Sequence, residues 1–224
     1  MVSVLHRGLK TIYPMPSLFR RLTHEALQTI SFPGDVVDLG GSKTSEYMHI
    51  VKKTAKSVTV INLDSRAQPD LFADLEKRLP CTDQCFDTVL AMNVFEHIYH
   101  YQQLLDESSR VLRPHGELVI VVPFLFQIHP SPNDYFRYTR QTWVQLLTEH
   151  GFESVVVREI GTGVWAARYQ LLHNFLPTVF TIPLQWLAMK MDHLWTALAQ
   201  KTGKKYTPDL YPLGYLVQAR KKSI

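Results

Sequence analysis

The stretch Asp38-Leu39-Gly40-Gly41-Ser42 places an acidic residue and two glycines directly after an apolar run that is typical of a buried strand. Glycines have no bulky side chain, so a ligand can approach their backbone closely. An acidic residue before them can receive hydroxyl groups or a cation. The pattern predicts a turn that binds a cofactor.

Further polar residues follow the next two strand-like segments. Asp64 ends the segment SVTVINLD, where a carboxylate can bind both hydroxyls of a ribose. Asp74 follows in FADLEKRLP, and the segment FDTVLAMN then leads to Asn93, Phe95, Glu96 and His97. Each acid alone could be a turn former or a helix cap. Their succession after the glycine turn favours a nucleotide-type cofactor.

A second loop, FLFQIHPSPNDYFRYT, follows the apolar run ELVIVVP and carries groups that could act on an acceptor molecule. A histidine titrates near neutral pH and can take a proton from an alcohol or phenol. His129 is the first candidate for this base, and His97 is the second. Both are predicted to lie beside the cofactor, because ligands collect at the carboxyl ends of parallel strands.

The same loop offers candidate substrate-binding residues. Arg137 could bind a carboxylate or phosphate, and Tyr135 and Tyr138 could stack on an apolar face or donate hydrogen bonds. Asp134 could orient a histidine or bind a hydroxyl. The alternative is structural: Asp134 and Arg137 form a local ion pair, and the tyrosines pack the loop onto the sheet.

No metal centre is predicted. The other histidines are scattered, and no pair of them with a carboxylate shows metal-site spacing. Cys81 and Cys85 lie close together without paired ligands nearby, so neither a disulfide framework nor a zinc site is indicated. Free thiols and the lack of a signal-peptide pattern favour a cytoplasmic protein.

The elements that would position these residues form an α/β pattern. From residue 35 onward, short apolar runs alternate with helix-like segments, as in a parallel sheet with helices on both faces. A helix is predicted over Thr44 to Lys53, another over Thr139 to His150, and an amphipathic one before the first strand. One domain is expected, with an N-terminal helical segment (1–34), a core (35–160), an apolar helical insertion or lid (161–208), and a last strand with a basic tail (209–224).

The insertion differs in composition from the rest of the chain. Tyr169 to Met189 is uncharged over about the length that spans a bilayer, but Pro177 and Pro183 make a straight transmembrane helix a poor fit. Two short interfacial helices fit better. The segment 161–200 is therefore either a lid or dimer face of a soluble protein or a peripheral membrane contact.

Composition excludes several classes of protein. A hydrophobic content of 46% with 20% charged residues is typical of a folded domain and excludes global disorder. The net charge of +4 is mild, and no continuous basic stripe indicates a nucleic-acid partner. A small molecule is the expected partner.

Taken together, the motifs resemble the class I S-adenosylmethionine-dependent methyltransferases, particularly the methyltransferase-domain group called type 11. The resemblance is carried by DLGGS (38–42), NLD (62–64), ADL (73–75), the FD-x-V-x-x-x-N-V-F-E-H-I run (86–98) and LRPHGEL (112–118). It covers roughly 35–158, with 211–220 as the final strand. It implies a Rossmann-like, seven-stranded, mostly parallel sheet with an antiparallel last strand.

The resemblance also implies S-adenosylmethionine as cofactor and assigns residues to it. The expected cofactor-binding residues are Asp38, Leu39, Gly40, Gly41 and Ser42 near the methionine part, Asp64 at the ribose, Asp74 and Leu75 at the adenine, and Asn93 and Phe95 near the sulfonium. A positively charged sulfur suits acidic and aromatic neighbours. The chain departs from the family at Lys43 and Thr44, where a third glycine is common.

The pattern H-P-x-P-x-D-Y-x-R-Y-T at 129–139 resembles the substrate loop of type 11 enzymes associated with bacterial cell-surface polysaccharides. It implies O-methylation of a glycan, sugar or related small molecule, and of a lipid-linked one if the insertion contacts a membrane. Two alternatives stay open: a methyltransferase-like regulatory module without catalysis, and a nicotinamide-dependent oxidoreductase. The second lacks both G-x-G-x-x-G and Tyr-x-x-x-Lys.

Overall fold

A computed structural model describes residues 17–203 and 208–223 and shows one seven-stranded sheet in the order β3-β2-β1-β4-β5-β7-β6. The strands are β1 (Gly34–Leu39), β2 (Ala55–Asn62), β3 (Leu71–Phe72), β4 (Phe86–Met92), β5 (Leu112–Pro123), β6 (Phe152–Ile160) and β7 (Gly214–Lys221). Strands β1 to β5 pair in parallel, and β7 lies antiparallel between β5 and β6. The predicted fold class is confirmed.

The central strands are buried on both faces, which explains their nearly continuous apolar sequences. In β1, Val37 and Leu39 face one core cluster while Val36 faces the other. The first cluster includes Trp143, and the second includes Leu18. Alternation along each strand therefore divides the apolar residues between two layers of helices.

In the described part of the chain, six α-helices cover the sheet: α1 (Leu18–Leu27), α2 (Met48–Val51), α3 (Tyr101–Val111), α4 (Arg140–Glu149), α5 (Val164–Leu172) and α6 (Thr178–Thr202). The Ser17 hydroxyl accepts a hydrogen bond from the backbone N–H of Arg20 and so caps α1. The Thr139 hydroxyl accepts one from the N–H of Thr142 at the start of α4. Both caps satisfy donors that the first helical turn leaves free.

The helix predicted over Thr44 to Lys53 is much shorter in the structure, where only α2 is α-helical. Hydroxyl groups in the preceding loop bond locally: Ser45 Oγ accepts from the N–H of Ser42, and Ser42 Oγ donates to the carbonyl of Ala67. Such side-chain bonds compete with helical ones. They account for the non-helical course of the loop after β1.

The apolar insertion contains the short α5 and the 25-residue α6, where the sequence predicted two short helices. Pro177 precedes α6 and Pro183 lies near its beginning, so most of the helix continues beyond both prolines. The buried Asp192 of α6 accepts the backbone N–H groups of Trp165 and Ala166 at the beginning of α5. Within the described part of the chain, no helix is both long and apolar enough to cross a membrane.

The insertion also holds α1 in place. Arg21 donates to Oε1 of Gln185 over 3.1 Å and lies 4.9 Å from the centre of the Trp186 ring. The backbone N–H of Phe19 donates to Oε1 of the buried Gln170. Helix α1 is thereby fixed over the carboxyl ends of the strands, where it forms one wall of a cavity.

Candidate active site

The glycine turn after β1 depends on the missing side chains of both glycines. Gly40 has φ +71°, and a Cβ there would lie 2.6 Å from Cγ2 of Val94. A Cβ on Gly41 would lie 1.8 Å from Oδ2 of Asp38, so this glycine makes room for the carboxylate. Asn62 Nδ2 donates to the carbonyls of Gly40 and Gly41 over 2.9 and 2.7 Å. The Asn62 side chain therefore fixes the course of the turn.

The Asp38 carboxylate is completely buried beneath this turn. The hydroxyl of Tyr47 donates to Oδ2 over 2.8 Å, whereas Oδ1 has no hydrogen-bond partner among the described residues. Burial raises the pKa of Asp38 to about 7. A cationic group at this turn would stabilise the ionised carboxylate, so the site fits the ammonium and sulfonium charges of S-adenosylmethionine.

A cavity of roughly 560 Å³ lies at the carboxyl ends of β1, β4 and β5. Its walls include Phe19 and Arg20 of α1, Tyr47 beside the glycine turn, Asn93 after β4, and the two histidines His97 and His129. Asn93 adopts φ +54°, a left-handed conformation that asparagine tolerates, and its N–H donates to the carbonyl of Val121. The cavity brings both candidate bases together with Thr44 to Tyr47, the loop that follows the predicted cofactor turn, whereas Asp38 to Ser42 of the turn itself are not among its lining residues.

The two histidines form a cluster with the buried Glu96. The rings of His97 and His129 lie 5.0 Å apart at 77°, and each Nε2 is 3.7 Å from Oε1 of Glu96. The Glu96 carboxylate raises the pKa of His129 because it favours the charged imidazolium. Although the sequence predicted no metal centre, the structure thus gathers three groups of the metal-ligating type.

The loop after β5 is held by Asp134 and Arg137. The guanidinium of Arg137 donates to both carboxylate oxygens of Asp134 over 2.5 and 2.7 Å and also to the carbonyls of Gln127 and Phe136. This pairing holds the pKa of Asp134 well below its usual range. Asp134 also accepts the backbone N–H of His129. The local ion pair that the sequence left as an alternative is present, and it positions His129.

The tyrosines of this loop differ in exposure. Tyr138 is buried, and its hydroxyl donates to the carbonyl of Phe95 over 3.2 Å. Tyr135 is exposed and packs edge-on against Tyr99. Of the two, only Tyr135 presents a surface to an incoming molecule.

The residues predicted to contact the ribose and adenine lie outside the cavity walls. Asp64 is partly exposed and accepts several hydrogen bonds from Arg66, which is itself largely exposed. Asp74 accepts the N–H of Glu76, while Leu75 is buried near Gly40. A ligand at Asp64 must displace or share its contact with Arg66.

Phe95, which the resemblance placed near the sulfonium, is fully buried in the core. Its ring packs edge-on against Trp143 at 5.4 Å. The cavity wall at the end of β4 is formed instead by Met92 and Asn93. The sequence analysis assigned no roles to Tyr47, Asn62 or Glu96, whose partners are respectively Asp38, the carbonyls of the glycine turn, and His97 with His129.

Comparisons with known proteins agree with this architecture. Residues 37–120 match the methyltransferase domain family. The chain is also 27% identical over 128 residues to an uncharacterised protein of Methanocaldococcus jannaschii, covering 56% of this chain and 51% of that protein. The chain thus spans about half the length of this relative.

Solved structures extend the likeness over the whole fold. A S-adenosylmethionine-dependent methyltransferase from Archaeoglobus fulgidus has a TM-score of 0.60 and 14% identity, covering 90% of this chain and 94% of its own. One from Mesorhizobium loti has a TM-score of 0.56 and 18% identity, covering 91% and 100%.

The phosphoethanolamine N-methyltransferase 2 of Haemonchus contortus, solved with phosphomonomethylethanolamine and S-adenosylhomocysteine, has a TM-score of 0.56 and 13% identity. The match covers 90% of this chain and 52% of that one, so this chain spans about half of its length. Residues 37–120 thus match the methyltransferase domain, and the chain shares the Rossmann-like fold of these S-adenosylmethionine-dependent methyltransferases.

Proposed function

We propose that the protein transfers a methyl group from S-adenosylmethionine to an oxygen atom of a sugar, glycan or related small molecule. The observation that carries the proposal is the cavity itself. It is lined by Tyr47, which follows the glycine turn, by Asn93 and by the two histidines. In open α/β sheets, ligands bind outside the carboxyl ends of the strands, where this cavity lies. The match of residues 37–120 to the methyltransferase domain supports the reaction class.

The turn of Gly40 and Gly41 and the buried Asp38 would hold the methionine part of the cofactor, with Asp64 at the ribose. When bound, the cofactor supplies a methyl group on a positively charged sulfur. The chain would contribute alignment of the reacting groups in the cavity, which is much of what an in-line displacement requires. Helix α1 closes one side of that cavity through Phe19 and Arg20.

An oxygen acceptor is favoured by the histidine cluster. An alcohol or phenol loses a proton as it attacks, and His129 and His97, which both line the cavity, are the candidates to accept it. Glu96 supports a positive charge on either ring, since its carboxylate lies 3.7 Å from both Nε2 atoms. With no ion bound, the cluster would supply the proton acceptor that O-methylation requires.

The glycan class is supported by the likeness of the loop 129–139 to the substrate loops of polysaccharide-associated enzymes. Arg137 is already paired with Asp134, so Arg20 would be the cationic partner at the cavity for an anionic group on the acceptor; its guanidinium lies 3.8 Å from the exposed carboxylate of Glu46. The exposed Tyr135 offers a ring for a sugar face. The acceptor would enter between α1 and this loop.

Isothermal calorimetry with S-adenosylhomocysteine should give one site per chain with a Kd in the micromolar range or below, and NADH should give none. Radiolabelled methyl transfer to nucleotide sugars, free glycans and lipid-linked oligosaccharides then identifies the acceptor. Cofactor binding without turnover on any pool would favour a regulatory module. Binding of NADH in place of S-adenosylhomocysteine would favour an oxidoreductase.

We also propose that the apolar insertion contacts a membrane surface peripherally. Helices α5 and α6 and the turn between them expose apolar side chains, among them Leu171, Leu172, Phe175, Val179, Phe180, Ile182, Trp186, Leu187, Leu194, Trp195 and Leu198. Tryptophan and aliphatic side chains on one helical segment suit the boundary between lipid headgroups and acyl chains. A lipid-linked acceptor would then be presented close to the cavity.

Sedimentation with anionic liposomes should recover the wild-type protein in the pellet, and the double variant Phe175→Ser/Phe180→Ser should lose most of this binding. Both side chains are exposed, so the change should leave the fold intact. Val156→Ser, an exposed apolar position on β6, is the matched control and should sediment as wild type does. A wild-type protein that stays in the supernatant, or a dimer that the double variant dissociates, would count against membrane contact.

A further inference from the structure

Glu96 is fully buried, and neither of its carboxylate oxygens has a hydrogen-bond partner within the described residues. A buried carboxylate without a partner is strongly unfavourable. The nearby Arg137 is already paired with Asp134, and within the described residues the ion-pair partners of Glu96 within 4 Å are His97 and His129, which are charged only when protonated. When both imidazole rings are neutral, the cluster of Glu96, His97 and His129 therefore carries the negative charge of the carboxylate without a positive charge to balance it.

The outer nitrogen of each ring is already engaged. Nδ1 of His97 lies 2.5 Å from the carbonyl oxygen of Asn133, and Nδ1 of His129 lies 3.1 Å from that of Gln127. A carbonyl oxygen can only accept a hydrogen bond, so each Nδ1 carries the hydrogen and each neutral ring has its lone pair on Nε2. Both lone pairs then lie beside the Glu96 carboxylate, an arrangement that a cation among them would stabilise.

We propose that Glu96, His97 and His129 bind a divalent transition-metal ion. One ligand atom from each residue lies within 4.8 Å of the others. Bonds of about 2.1 Å in tetrahedral geometry place ligand atoms about 3.4 Å apart, close to the 3.7 Å between each Nε2 and Oε1. Two imidazoles with one carboxylate suit Zn²⁺ or Fe²⁺ better than Mg²⁺ or Ca²⁺, which prefer oxygen ligands.

The surroundings are those of a metal site with an open position. The bonds from Nδ1 to backbone carbonyls orient both rings, as the outer partners of metal-bound histidines do. His97 and His129 also line the cavity, so a fourth position faces the space for the acceptor. An ion there would lower the pKa of a bound hydroxyl, and the imidazoles would act as ligands and not as bases. This role rests on the proposed methyl transfer, whereas binding of the ion does not.

Cobalt(II) is the probe, because its visible absorption reports the ligand set. The full chain, freed of metal by a chelator, should bind one Co²⁺ per molecule, and Zn²⁺ should displace it. Glu96→Gln and His129→Gln should each weaken Co²⁺ binding at least about tenfold. His150→Gln is the matched control, because His150 pairs with Asp106 alone and no third ligand lies within reach in the described residues.

Thermal unfolding of the same proteins gives an independent readout. Zn²⁺ should raise the Tm of the wild type and of His150→Gln but not of Glu96→Gln, whose Tm without metal should equal or exceed that of the wild type. Equal Co²⁺ binding by wild type and Glu96→Gln, or no binding by either, overturns the metal site. Binding of S-adenosylhomocysteine, measured on the same samples, separates the two proposals. A protein that binds Co²⁺ but not S-adenosylhomocysteine retains the metal site and contradicts methyl transfer. A protein that binds S-adenosylhomocysteine but not Co²⁺ contradicts only the metal site.

Discussion

Replacing Asp38 with Asn is expected to stabilise the cofactor-free protein at pH 8 and to weaken binding of S-adenosylhomocysteine. Burial raises the pKa of Asp38 to about 7 from an ordinary 3.8. In the unfolded chain the Asp38 carboxyl group therefore ionises from about pH 4, whereas in the folded protein it stays protonated up to about pH 7. Stability is lost as the pH rises through this window, and the difference corresponds to about 4 kcal/mol at most. The amide of Asn carries no such penalty.

Urea unfolding at pH 4 and pH 8 tests the stability part. The Asn variant should resemble the wild type at pH 4 and exceed its free energy of unfolding by about 2–4 kcal/mol at pH 8. Calorimetry at pH 8 should show at least about tenfold weaker binding of S-adenosylhomocysteine, because the ligand's ammonium loses its buried counter-charge. Asp106→Asn, an exposed carboxylate beside His150, serves as control and should change neither quantity appreciably. A variant that is less stable at pH 8, or one that binds the ligand unchanged, contradicts this role for Asp38.

Much of the fold follows from local sequence because the central strands are apolar on both faces. The segment FDTVLAMN contains β4, and the apolar run before the glycine turn lies in β1. The helix predicted from Thr44 begins only at Met48, because the hydroxyl groups of Ser42 and Ser45 form hydrogen bonds in the preceding loop. Pro183 is the sixth residue of α6 and removes one backbone hydrogen bond there, but the helix continues through the residues that follow it.

The sequence predicted those site residues that directly follow a strand, but not those whose role comes from a partner elsewhere in the chain. The glycine turn, Asn93 and His97 directly follow strands, so their meeting at one edge follows from the topology. Glu96 is different, since its importance comes from His129, which the loop after β5 brings to it. Asn62 likewise acquires its role from the carbonyls of the glycine turn. Such partners become visible only in three dimensions.

Asp134→Asn is expected to lower the free energy of unfolding at pH 7 by about 2–3 kcal/mol. The side chain of Asp134 is 2% exposed and binds the guanidinium of Arg137 through both oxygens. Removing one charge of a largely buried pair leaves the other without compensation. Arg137 holds the pKa of Asp134 well below its usual range, so this stabilisation is present above about pH 4 and is lost as the pH falls below it. The difference between wild type and variant should therefore shrink on acidification.

Denaturant unfolding at pH 7 and pH 3 measures this difference. Asp83→Asn is the matched control, because Asp83 pairs with Arg110 at 2.6 Å but is 66% exposed, and its loss should cost less than about 1 kcal/mol.

The assignment of Arg137 to an anionic acceptor leads to a different expectation: Arg137→Ala would raise the KM for the acceptor and leave the free energy of unfolding nearly unchanged. A large loss of stability in both Asp134→Asn and Arg137→Ala would instead show that the pair is needed to hold the loop that carries His129. In that case the anionic part of the acceptor must find its partner elsewhere on the cavity wall, where Arg20 lies.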